Sequence, residues 1–103
     1  MKDLNKLFKT AKEMQEKLVR MNEELASKTV EASSGGGMVK VVMNGKQELL
    51  SIKIDPEVVD RDDVEMLEDL VLAAVNEART KVVEMVKQEM SNLAGGFPLP
   101  GLF

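Results

Sequence analysis

The sequence predicts an α+β fold of order α-β-β-β-α, in which a three-stranded antiparallel sheet lies between two long helices. Three observations carry this. The first 26 residues repeat apolar side chains every seven positions, residues 28–54 switch to a period of two around an Asn-Gly pair, and a second long helical pattern follows from residue 63.

The first helix is expected over residues 3–26. Leu4, Ala11, Leu18 and Leu25 recur at intervals of seven, as do Leu7, Met14 and Met21, which makes them the a and d positions of a seam that packs helix on helix. Phe8 and Val19 widen the stripe. Residues 28–34 form a short β-like segment that Gly35-Gly36-Gly37 breaks. A second strand over 38–43 places Val39, Val41 and Met43 on one face. Asn44-Gly45 is then read as the two-residue centre of a type I′ hairpin. A third strand over 46–54 returns with Leu50, Ile52 and Ile54 on one face, and a two-residue turn sets Val39 opposite Leu50. Asp55-Pro56 ends the sheet, and Asp62 or Asp63 caps a second helix over 63–93 with acidic residues in its first turn. Its centre, LVLAAV, is apolar on every side and is expected to be buried all round. Val71, Val75, Ala78, Val82 and Met85 continue a stripe toward the C-terminus. One domain over residues 1–94 is expected, with 95–103 as a flexible apolar tail.

These lengths sit badly with a solitary subunit. At ~1.5 Å per residue the two helices run about 35 and 45 Å, whereas a globule of this size has a radius of gyration near ~13 Å. Projecting helices with apolar seams call for a second subunit, and a two-fold homodimer is the commonest solution.

Composition narrows the function. The 103 residues contain no cysteine and no histidine, which removes disulfides, thiol nucleophiles, Cys/His zinc sites and the usual general base. No pair of acids is marked for acid–base work, so no catalytic residue, cofactor or metal site is expected, and the chain is not read as an enzyme. With no Trp or Tyr and three Phe, a ladder of base-stacking aromatics is also unavailable. The longest apolar run is the six residues Leu70 to Val75, too short for a membrane span, and a cytoplasmic location is the default.

Charge is the most informative functional feature. The formal net charge is −4, but it is unevenly spread. Residues 1–20 hold six basic side chains against three acidic ones, while residues 55–69 hold eight acidic against one basic. On the first helix Lys2, Lys6, Lys9, Lys12 and Arg20 fall on the side away from the seam. A row of cations on a projecting rod suits a line of phosphates; the plainer reading is a solvated helix face. The triple glycine lacks the Lys-Ser/Thr of a phosphate loop and precedes a strand, so it reads as a turn. The acids Asp60, Asp62, Asp63 and Glu65 lack EF-hand spacing and read as helix-capping groups.

The seam helix, GGGMVKVVMNGKQELLSIKIDPEVV, EMLEDLVLAAVNEA and a tail ending Pro-Gly-Leu-Phe together resemble the YbaB/EbfC family of bacterial nucleoid-associated proteins, over essentially the whole chain. The resemblance implies a cytoplasmic, nucleoid-located homodimer shaped like tweezers. It would bind duplex DNA with low sequence specificity and affect nucleoid organisation and gene expression. Carried over by position, Lys6, Lys9 and Lys12 on the first helix and Arg79, Lys81 and Lys87 on the last would contact DNA. Arg79 and Lys81 point in different directions on a helix, so at most one of them faces a groove.

Two competing readings lack direct DNA binding. One is a protein-interaction adaptor that uses the apolar tail 97–103 and the seams. The other is a prefoldin-like holdase, which also sets a β core among projecting helices. With few base-reading side chains, DNA binding would rest on phosphate contacts.

Overall fold

In the computed structural model, residues 2–95 are described, and the expected tail beyond Gly95 lies outside them. Helix α1 spans Lys2–Leu25, strands β1, β2 and β3 span Thr29–Ser34, Val39–Asn44 and Leu49–Ile54, and helix α2 spans Val64–Gly95. The sheet is antiparallel in the order β1-β2-β3. The molecule measures 73 × 23 × 16 Å with a radius of gyration of 20.0 Å, well beyond the ~13 Å of a globule of this length.

One face of β1 and β2 packs beneath α2. Ala32, Val39, Val41 and Met43 from the sheet, Val58 from the following turn, and Ala74, Ala78 and Val82 from α2 form the buried core. The small residues Ala74 and Ala78 let the helix approach the sheet closely. Val71, Val75 and Val86 flank this stripe half-buried. Asp63 caps α2, its carboxylate accepting from the Met66 N–H at 3.2 Å.

The three glycines carry φ of +59°, +66° and +93°, a left-handed run that only glycine enters without steric cost. Gly35 is doubly constrained, since a Cβ there would lie 2.9 Å from Leu70 Cδ2. Beside it, Ser34 Oγ donates to the Leu70 carbonyl at 2.5 Å and ties the end of β1 to α2.

The hairpin departs from the sequence expectation. Gly45 does not have positive φ; Gln47 does, at +62°. The loop is three residues long, with Gln47 N–H donating to Asn44 O and Asn44 N–H to Glu48 O, each at 3.0 Å, which is the type I turn plus left-handed residue of longer hairpins. Met43 therefore pairs with Leu49, a bulge follows, and Val39 pairs with Ile54 rather than Leu50. Leu50 is the extra residue of the bulge instead of a member of the inward face.

The type I′ geometry loses because Asn44 and Gly45 are committed to α1. Asn44 is 2% exposed. Its Oδ1 accepts from the N–H groups of Lys46 and Glu48 at 3.0 Å, and its Nδ2 donates to Ala26 O at 3.2 Å and Glu48 Oε1 at 2.8 Å. Gly45 N–H points at the carbonyls of Leu25 and Lys28, 2.9 Å from each. A Cβ on Gly45 would lie 2.8 Å from Leu25 O. Glycine is needed here for close approach, and the pair fastens the root of α1 to the sheet.

Candidate nucleic-acid interface

From that root α1 runs antiparallel to the last part of α2. Lys28 Nζ pairs with Glu89 Oε1 at 2.6 Å, and farther out Lys17, Arg20, Met21 and Glu24 line a shallow groove with Glu89, Asn92 and Leu93. Because α2 ends at Gly95, about twelve residues of α1 extend past it, roughly 20 Å at the helical rise. Burial follows this geometry. Leu25 is buried and Met21, Leu18 and Met14 are half-buried, whereas Leu4, Leu7, Phe8 and Ala11 are exposed.

Lys6, Lys9 and Lys12 stand on this overhang, all exposed and without an ion pair among the described residues. Their three-residue spacing sets successive ammonium groups about 4.5 Å apart along the axis on the side opposite the seam. Nearby Glu13 and Glu16 partly offset this charge.

The α2 residues are arranged differently. Arg79, Lys81 and Lys87 are exposed, but Lys81 is held back on the sheet, donating to the Glu31 carbonyl at 2.8 Å with Glu77 Oε1 at 3.8 Å. The helical repeat puts Arg79 and Lys87 on the other side of the buried Ala78–Val82 stripe from Lys81. Arg79 lies roughly 30 Å along the long axis from Lys12, counting helical rise down each helix from the Leu93–Met21 level. The structure thus gathers the three α1 lysines and leaves the α2 cations as a separate set.

The acidic segment sits at the opposite end. Asp55, Asp60 and Asp63 accept from the N–H groups of Glu57, Asp62 and Met66, so these carboxylates terminate local turns. They lie before and at the start of α2, whose 32 residues carry the chain about 48 Å away. The molecule is a rod with an acidic base and a basic tip.

A second feature is an apolar groove where Ile54 of β3 meets Leu67, Glu68, Val71, Leu72 and Val75 of α2. Across β2, Ile52 and Ile54 pair with Val41 and Val39 and so continue the core face, yet α2 does not cover them. Ile54 is 38% exposed and Leu72 60%. The LVLAAV centre is consequently buried on one side only within a single chain, contrary to the sequence expectation. Among the described residues, no helix is long and apolar enough to cross a membrane.

Comparison with known proteins places this arrangement. The chain is 59% identical over 101 residues to a nucleoid-associated protein of Caldanaerobacter subterraneus subsp. tengcongensis, covering 98% of this chain and 91% of that one. It is 60% identical over 91 residues to a nucleoid-associated protein of Syntrophobacter fumaroxidans, covering 88% and 83%. The fold matches the crystal structure of an uncharacterised protein, HP0035, from Helicobacter pylori, with a TM-score of 0.75 and 27% identity over 85% of this chain and 92% of that one. The model of the YbaB/EbfC DNA-binding family, which is not an enzyme family, matches residues 1–97, and the chain belongs to that family.

Proposed function

We propose that the protein binds duplex DNA in the bacterial nucleoid as a homodimer, chiefly through phosphate contacts and with low sequence specificity. The observation that carries this is the overhang of α1, which holds Lys6, Lys9 and Lys12 clear of the sheet and of the acidic base. Cations so placed reach phosphates without bringing residues 55–69 close, and beyond a Debye length of about 8 Å that acidic segment is screened. The near absence of aromatic side chains favours backbone contact over base stacking. Arg79 or Lys87 adds a second contact nearer the sheet.

The dimer reading is supported by the uncovered half of the core face. Ile52 and Ile54 on β3 with Val71, Leu72 and Val75 on α2 form an apolar surface continuous with the core, alongside an open strand edge. A second copy seated there buries what α2 leaves open and presents two basic rods from one platform, the tweezers arrangement.

The test is a salt series of duplex-DNA binding on protein whose mass in solution has been measured. Three α1 contacts per subunit predict a slope of about −5 in log K against log salt for a dimer. Replacing Lys6, Lys9 and Lys12 together with Glu abolishes binding while leaving the dimer intact. Binding that is flat with salt, or unchanged in that variant, refutes the assignment.

A further inference from the structure

Two exposed apolar surfaces stand at the two ends of the rod, and DNA binding accounts for neither. At the tip, α1 carries Leu4, Leu7, Phe8 and Ala11, a continuation of the seam that α2 covers only as far as Met14. Leu7 is 60% exposed and Phe8 65%. By the helical repeat Lys12 borders this strip, and Lys6 and Lys9 fall farther round the helix. At the base, an open groove is lined by the apolar Val59, Val64 and Leu67 and by the acids Glu57, Asp60 and Asp62, with Arg61 the one cation among its lining residues. Val59 is 58% exposed and Val64 52%, so the apolar wall of the groove faces solvent in a single chain.

We propose that the α1 tip of one molecule seats in the base groove of another, so that copies of this chain associate tip to base. Charge decides the partner. The tip offers Lys6, Lys9 and Lys12, and residues 55–69 at the base hold eight acidic side chains against one basic. The long lysine side chains meet the acids around the groove while Leu7 and Phe8 meet Val59 and Val64. Two tips placed strip to strip bring lysines to lysines, and two bases bring acids to acids, each a repulsion. A DNA phosphate satisfies the lysines but offers nothing to Leu7 and Phe8. The two surfaces do not meet within one chain, because they lie at opposite ends of a molecule 73 Å long. The contact is small beside the ~800 Å² that each partner buries in a standard interface, so a single seating is weak and gains strength by repetition. Each link leaves one tip and one base free, so the association extends rather than closes. On the DNA reading above, the seating occupies the lysines that bind phosphate, and self-association competes with DNA.

The absence of cysteine makes the test direct. Full-length chains carrying Leu7→Cys and Val64→Cys are mixed at low salt and oxidised under mild conditions, and the disulfide between unlike chains is followed by mass. The proposal expects it to form at least about tenfold faster than the disulfide between Lys9→Cys and Val64→Cys chains, because position 9 faces away from the strip. Equal rates overturn it. Disulfides between two Leu7→Cys chains that outpace the mixed pair assign the strip to tip-on-tip pairing and overturn it as well. A charge exchange checks the cause. Lys6→Glu, Lys9→Glu and Lys12→Glu in the Leu7→Cys chain are expected to slow the mixed disulfide about tenfold. Glu57→Lys with Asp62→Lys in the Val64→Cys chain is then expected to restore the rate to within about threefold; Asp60 is left in place because its carboxylate holds the local turn. No slowing, or no recovery, also overturns the proposal. DNA is absent from both readouts, so failure here leaves the DNA reading standing, and failure of DNA binding leaves the association standing.

Discussion

Replacing Asn44 with Ala tests how α1 is fastened to the sheet. The side chain is buried and makes four hydrogen bonds, to Lys46 N–H, Glu48 N–H, Ala26 O and Glu48 Oε1. Deleting it leaves three backbone groups and one carboxylate short of a partner. A hydrogen bond contributes about 1 kcal/mol net, and a buried group left unpaired costs about 1–3 kcal/mol. Lys46 and Glu48 are exposed, so water replaces part of what they lose. Ala26 is exposed as well, so the expected destabilisation is about 2 kcal/mol, with most of it coming from the lost turn geometry and the space left by the buried amide. The assay is urea unfolding at fixed protein concentration, since the proposed dimerisation would make the midpoint depend on concentration. Ser27→Ala serves as the comparison because its Oγ bond to Glu24 O is exposed, and it is expected to shift stability by less than about 0.5 kcal/mol. A loss below about 1 kcal/mol for Asn44→Ala would show that α1 is held by its seam and not by this residue.

Two further outcomes follow from the same geometry. Gly45→Ala forces a Cβ to within 2.8 Å of a backbone oxygen of Leu25, so it should destabilise by about 1–3 kcal/mol although φ at this position is not left-handed; a neutral result in urea unfolding would mean the helix end gives way. Ile54→Glu places a charge on the open half of the core face, outside the covered core of one chain. The proposed dimer should then sediment as a monomer while the far-ultraviolet circular dichroism is kept, and a dimer that persists in this variant would move the interface elsewhere.

Element order was readable because hydrophobic period is a property of the chain itself. Leu4 through Leu25 announce a helix whatever surrounds them, and Val39, Val41 and Met43 announce a half-buried strand. The hairpin register was not readable. Asn44-Gly45 has a strong local preference, but a buried amide serving the Ala26 carbonyl and a Cα pressed on Leu25 outweigh it, and that partner lies nearly twenty residues away. The expectation that LVLAAV is enclosed on all sides illustrates the complementary limit, because a period tells how many sides are apolar and not which molecule covers them. Among the site residues, the helical repeat sufficed to put Lys6, Lys9 and Lys12 together. It did not reveal that Lys81 is tied to Glu31, since that bond depends on how α2 crosses β1.

The bulge at Leu50 has a consequence for how the sheet meets its surroundings. A straight, unpaired strand is a template for endless addition of further strands. Here the extra residue interrupts the ladder after Leu49, leaving only a short regular stretch through Ile54, and Lys53 sits exposed within it. On the opposite margin the Lys81 ammonium occupies a carbonyl oxygen of β1. Both flanks are thereby ill-suited to runaway stacking into fibrils.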